Sequence, residues 1–200
     1  MGIRVQKVKQ YKLTVVGDAA CGKTCLLSVF ANNVFPEDHI PTVFETFLAD
    51  VDVAGEKIQL YLWDTAGQED FDKLRPFSYP DTDVILLVFA IDDPQSLTNA
   101  TTKWMPEVVE YCPDVPVILV GTKRDLRKDE EATFERKPRT VTTQYAKSRA
   151  DAMKVKAYME CSAKHREGVR EIFDTAARFA MRRNHDRSST VCHCCGCSIT

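Results

Sequence analysis

Apolar residues recur along the chain in two periods. YKLTVVG (11–17), DVILLVFA (83–90) and VPVILVG (115–121) are nearly continuous apolar runs, the pattern of strands buried on both faces of a parallel sheet. Over 46–64 the pattern becomes alternation. Phe47, Ala49, Val51 and Val53 lead into AGEK, and Ile58, Leu60 and Leu62 resume beyond it, which predicts a β-hairpin. Helical spacing fills 23–32, 95–111, 142–153 and 169–181, and KAYMECS adds a last short strand. Strands alternating with helices predict an α/β fold of three layers, α/β/α, around a mixed six-stranded sheet. Periodicity stops near Arg182, so residues 11–182 read as one domain, 1–10 as a flexible N-terminus and 183–200 as a disordered tail.

Composition narrows little. The 200 residues carry a net charge of −2, which gives no pull toward nucleic acid. No run of 18 apolar residues exists, so no transmembrane helix is expected. The start, MGIRVQKVKQ, lacks the apolar core of a signal peptide, and Gln6 breaks the N-myristoylation pattern. Cys21, Cys25, Cys112 and Cys161 read as reduced thiols of a cytosolic protein.

The first chemistry lies at the end of the first strand. Gly17, Asp18, Ala19, Ala20, Cys21, Gly22, Lys23 and Thr24 fit G-x-x-x-x-G-K-[ST] between a strand and a helix. Backbone N–H groups of such a loop curl round an anion and the helix N-terminus adds a positive dipole. Lys23 reaches the outer phosphates, and Thr24 offers a hydroxyl to Mg²⁺. The base is read elsewhere, at Thr122-Lys123-Arg124-Asp125. A carboxylate there accepts from guanine N1–H and N2–H₂, a donor pair that adenine lacks, and the Lys123 stem can lie on the ring. Ser162, Ala163 and Lys164 close the next strand and supply N–H groups near the base oxygen. Asp64-Thr65-Ala66-Gly67-Gln68 adds a carboxylate that holds Mg²⁺ through water, an N–H for a γ-phosphate at Gly67, and a water-orienting side chain at Gln68. Thr42 lies between these elements and can reach Mg²⁺ and the γ-phosphate when GTP is bound.

GxxxxGKT, DTAGQ, TKRD and SAK in this order resemble a small GTPase of the Ras superfamily. PTVFE, LWDTAGQEDFDKLRPFSYPDTDVILL and KWMPEVVEYCPDVPVILVGTKRDLRKD resemble the Rho family, and within it the Rho subfamily. The likeness covers about residues 11–181. Segment 126–141 is similar to the Rho insert helix but a few residues short. The resemblance implies a P-loop G domain that binds GTP or GDP with Mg²⁺ and hydrolyses GTP, with Gln68, Thr42 and Lys23 as catalytic groups. It implies that Phe35 packs against guanine and that Cys25 adjoins the nucleotide. Val43, Phe44 and Glu45, with Trp63, Phe71, Leu74 and Phe77, would form the effector surface, although core packing is the plainer reading of Trp63 and Phe77. His39 stands where many relatives carry tyrosine, and Thr46 where the Rho subfamily has an asparagine that bacterial toxins modify. Implied partners are an exchange factor, a GTPase-activating protein, a dissociation inhibitor and effector kinases or formins acting on the actin cytoskeleton, with the chain a monomer.

Ala19 departs from the family, which usually has glycine there. Its methyl would point toward the γ-phosphate, Gln68 and an incoming arginine finger, so slow hydrolysis is expected; the alternative is that the smallest side chain is accommodated. A constitutively GTP-bound scaffold is therefore the rival function, with an ATP-using P-loop enzyme a more distant one that Asp125 opposes. Cys21 and Cys25 flank Lys23, which would favour thiolate, against the simpler role of small buried residues. Cys197-Ser198-Ile199-Thr200 fits a prenylation box, and Cys192, Cys194 and Cys195 are palmitoylation candidates; a metal site lacks the spacers that ligands need. Two lipids would hold the chain at the cytoplasmic face of the plasma membrane or of endosomal membranes, with a cytosolic pool.

Overall fold

The apolar runs become the centre of a six-stranded sheet in the order β2-β3-β1-β4-β5-β6. The computed structural model describes residues 8–36, 42, 44–127 and 140–191, the stretch 186–191 by backbone alone. The strands are β1 (Lys9–Gly17), β2 (Phe44–Val53), β3 (Glu56–Thr65), β4 (Val84–Ala90), β5 (Val117–Thr122) and β6 (Ala157–Glu160). Only β2 runs antiparallel to its neighbour; every other pair is parallel. The α/β fold predicted above is the fold observed.

Period-2 alternation within the apolar runs sorts side chains into two cores. In β4, Val84, Leu86, Val88 and Ala90 face one cluster, and Ile85, Leu87 and Phe89 face the other. The first cluster takes Leu26 and Leu27 of α1 (Lys23–Asn32) and Ile172, Phe173 and Ala176 of α5 (Val169–Val191). The second takes Trp104 and Val108, from a helical stretch comprising α2 (Pro94–Asn99), a wide turn (Ala100–Trp104) and α3 (Met105–Tyr111). Ala146 and Ala150 of α4 (Thr143–Met153) complete it. Phe30 and Phe173 stack at 3.8 Å between ring centres and bind α1 to α5.

The hairpin is longer than its alternation predicts, starting at Phe44. It turns through Ala54 and Gly55, both at positive φ (53° and 86°), the conformation whose twist matches the flanking strands. Asp52 accepts from the Gly55 N–H at 2.8 Å and fixes the turn.

Two boundaries differ from the sequence reading. Lys9 and Gln10, assigned to a flexible N-terminus, belong to β1 and pair with Ile58 and Gln59. Lys9 also meets Glu56 at 2.7 Å. At the other end α5 runs to Val191, although the tail was expected to begin at 183. In both places the added residues are polar and show no apolar period, yet backbone pairing continues without one. Residues 128–139, most of the predicted insert, and Cys192, Cys194, Cys195 and Cys197 lie outside the described residues. The insert's neck is described: the Arg127 guanidinium donates to the Val141 carbonyl at 3.0 and 2.6 Å and pairs with Glu160 at 2.6 Å.

Phe173→Ala removes the ring that joins α1 to α5. It is expected to lower unfolding stability by about 3–5 kcal/mol in urea titrations of the GDP-bound protein. A loss below about 1 kcal/mol would show that this contact is not a main tie.

Candidate functional site

Open α/β sheets hold ligands beyond the carboxyl ends of their strands, where the chain departs in opposite directions from a central strand. Here that strand is β1, flanked by β3 and β4. The loop after it opens onto a cavity of about 340 Å³. Ala19, Ala20, Gly22, Lys23, Thr24, Cys25, Phe35, Thr42, Gly67, Gln68 and Lys123, all singled out in the sequence, line this one cavity, joined by Pro36, Thr65 and Ala66.

Lys23 is buried at 6% exposure. Its ammonium donates to the carbonyls of Gly17 at 3.0 Å and Asp18 at 2.7 Å. Two neutral carbonyls position the charge without cancelling it, so it is presented to an anion in the cavity. Ala20 takes φ 59°, and a left-handed residue in such a curl turns successive N–H groups toward one point.

Beside it, Thr24 Oγ1 donates to Asp64 Oδ2 at 2.5 Å and lies 2.7 Å from Thr42 Oγ1. Asp64 is fully buried, and its Oδ1 has no hydrogen-bond partner. Burial raises its carboxyl above the usual carboxylate range, against the lowering effect of the Thr24 hydroxyl and the Lys23 charge. A buried carboxylate with an orphan oxygen beside two hydroxyls is a hard, all-oxygen donor set, and it fits Mg²⁺.

At the end of β5, Thr122 Oγ1 donates to the Cys21 carbonyl at 2.5 Å, tying the base loop to the phosphate loop. Lys123 takes φ 58° and its ammonium pairs with Asp92 at 3.2 Å, which leaves the stem along the cavity wall. Asp125 is 8% exposed, and its Oδ1 also lacks a partner. Such an oxygen is costly unless a ligand donates to it, and the paired N–H groups of guanine are donors of that kind. Asp125, Ser162, Ala163 and Lys164 lie outside the lining of the 340 Å³ cavity. They adjoin its base end: the Arg124 N–H donates to the Cys161 carbonyl at 3.0 Å, so the TKRD and CSAK loops are bonded to each other.

Asp18 takes part in the loop through its backbone. Its carbonyl holds Lys23, but its carboxylate turns away from the cavity, accepting from Trp104 Nε1 at 2.6 Å and Asn99 Nδ2 at 2.7 Å. For Cys21 and Cys25 the reading as small buried residues is the one supported. Burial raises the thiols of Cys21 and Cys25, outweighing the charges of Lys23 and Lys123, and pushes Cys161 up to about 12.

The predicted effector residues surround a second cavity of about 340 Å³, lined by Phe44, Trp63, Phe71, Leu74 and Phe77. Phe77 is 77% exposed and Leu74 57%, so neither is core. Trp63 is half-buried, edge-on to Phe44 at 5.0 Å and under the Lys12 ammonium at 3.4 Å. Glu45 is exposed on β2 beside them, and Val43 and His39 lie outside the described residues. The sequence reading gave no part to Arg75, Asn99, Trp104 or Glu107. Arg75 is buried at 3% exposure, donates to the carbonyls of Ala66 at 3.1 Å and Gln68 at 3.3 Å, and pairs with Glu107 at 3.0 Å. The available signal was Pro106 within a helical pattern, a mark of irregular backbone.

The domain described as "Ras family" matches residues 12–182. The chain is 52% identical over 187 residues to Rho-related GTP-binding protein RhoB of Homo sapiens, spanning 92% of this chain and 95% of the relative. The RhoB proteins of Mus musculus and Rattus norvegicus match to the same extent.

Asp125→Ala removes both acceptors offered to the base. GDP and GTP affinity is expected to fall by roughly 10²–10⁴-fold, the worth of two charge-assisted hydrogen bonds. Displacement of a fluorescent GDP analogue measures this. A change below threefold would show that Asp125 does not read the base.

Proposed function

The chain belongs to the Ras family, in its Rho group, and is a GTP hydrolase; from that premise we propose a membrane-anchored switch held toward its GTP-bound form by Ala19. Such a protein binds GTP or GDP with Mg²⁺ and works with an exchange factor, a GTPase-activating protein, a dissociation inhibitor and effectors.

Lys23 and the loop amides hold the phosphates, and Asp125 with Lys123 selects guanine. Thr24 and Thr42 would hold Mg²⁺, with Asp64 acting through water. The ion, when bound, draws charge from the outer phosphate oxygens. Gln68 orients the attacking water. Val43, Phe44 and Glu45 with Trp63, Phe71, Leu74 and Phe77 receive effectors such as kinases or actin-nucleating formins. Exposure of Leu74 and Phe77 beside the apolar second cavity supports that role.

The observation that carries the proposal is the position of Ala19. It lines the cavity together with Gly67 and Gln68. Its backbone nitrogen lies where a Cβ on Gly67 would come within 2.4 Å. Ala19 is exposed at the cavity, and its methyl is assigned to the space that Gln68 and an arginine finger would share around the reacting phosphate. Ground-state contacts through Lys23 and the amides do not involve that methyl. Binding is kept and the transition-state arrangement is hindered.

Among the described residues no helix is long and apolar enough to cross a membrane. Anchorage is assigned to a prenyl group on Cys197 with acylation at Cys192, Cys194 or Cys195, at the cytoplasmic face of plasma or endosomal membranes.

Single-turnover GTP hydrolysis with and without a Rho-type GTPase-activating domain tests the switch bias. Ala19→Gly is expected to raise the stimulated rate by at least 10²-fold, toward the 10³–10⁵ worth of an arginine finger. Equal stimulation of both chains would remove Ala19 from the account. Cys197→Ser is expected to move the protein from membrane to soluble fractions; persistent membrane association would rule out prenyl anchorage at this residue.

A further inference from the structure

Trp104 is fully buried and belongs to neither switch nor phosphate loop. It ends the wide turn Ala100–Trp104, where the Met105 N–H reaches back to the Ala100 carbonyl. Pro106 follows, with no N–H to continue the regular ladder. Wide turns of this kind often sit at functional sites because they redirect a side chain.

The indole is used on both its edge and its face. At the edge, Nε1–H donates to Asp18 Oδ1 at 2.6 Å, while Asn99 holds Oδ2 at 2.7 Å. Asp18 is thus fixed from outside the cavity, and with it the peptide that leads to Ala19. Over the ring face lies the Arg75 guanidinium, 4.4 Å from the ring centre. That guanidinium holds the carbonyls of Ala66 and Gln68, the residues on either side of Gly67. Gly67 in turn packs against the Asp18–Ala19 peptide, where a Cβ would meet the Ala19 nitrogen and the Asp18 carbonyl carbon at 2.4 Å. One side chain therefore braces the phosphate loop and the Gln68 loop against each other.

We propose that Trp104 is a positioning residue for hydrolysis, acting through Asp18 and Arg75 to hold Ala19 and Gln68 in register. It is fully buried and lies outside the lining of the cavity that the phosphate loop opens onto. Its loss should loosen the arrangement that the transition state needs while Lys23 and the amides still bind the nucleotide. The proposal rests on GTP hydrolysis itself and not on the effect of Ala19.

The test is single-turnover hydrolysis beside nucleotide affinity, in the chain as it is and again with Ala19→Gly, so that a slow baseline is not mistaken for an effect of Trp104. W104F keeps an aromatic face and loses the donor; D18A loses the acceptor. Each is expected to slow hydrolysis on the order of tenfold, with affinity changed less than about threefold. The double variant should be no slower than either single variant, because both cut one connection. D18N, which keeps an acceptor oxygen, should recover part of the D18A loss. If W104F does not fold, N99A carries the test, with a few-fold slowing expected from removal of the second donor. Unchanged rates, losses that multiply in the double variant, or affinity that falls in step with rate would each overturn the proposal.

Discussion

The site depends on the contact between Gly67 and the phosphate loop. A Cβ at Gly67 would lie 2.4 Å from Ala19 N and 2.5 Å from the Gly17 carbonyl oxygen, so no residue but glycine lets these two loops close on each other. That closeness places Gln68 beside Lys23, Thr24 and Ala19 in one cavity.

The sheet supplies the rigidity that this contact needs. Thr65 Oγ1 donates to the Val15 carbonyl at 2.7 Å and Thr122 Oγ1 to the Cys21 carbonyl at 2.5 Å, so strands β3 and β5 are pinned to β1 and the loop that follows it. The floor of the cavity is thus fixed by hydroxyls at strand ends, and its walls by loops. At the candidate site two carboxylates are then left with an unmet oxygen each, Asp64 beside Thr24 and Asp125 after β5. Any ligand that meets these oxygens offsets a cost left by folding, and its binding is thereby linked to stability.

Much of this was legible in the sequence. Buried strands such as β4 announce themselves because both faces are apolar, and the phosphate, Mg²⁺ and base motifs carry side chains whose chemistry is local to a few residues. What escaped was whatever depends on distant partners. Asp18 belongs to the loop by its backbone, but its carboxylate is held by Trp104 and Asn99, more than eighty residues away. Lys9 and the last turns of α5 are polar, so hydropathy ends each element early while backbone hydrogen bonding continues it.

The central claim is that Ala19 leaves binding intact and holds the switch toward its GTP form. The most direct measurement is the nucleotide carried by the protein recovered from cells, extracted and resolved by ion-pair chromatography. GTP should exceed GDP, and Ala19→Gly should reverse the ratio. A chain that emerges loaded almost wholly with GDP, indistinguishable from its glycine variant, would contradict the account.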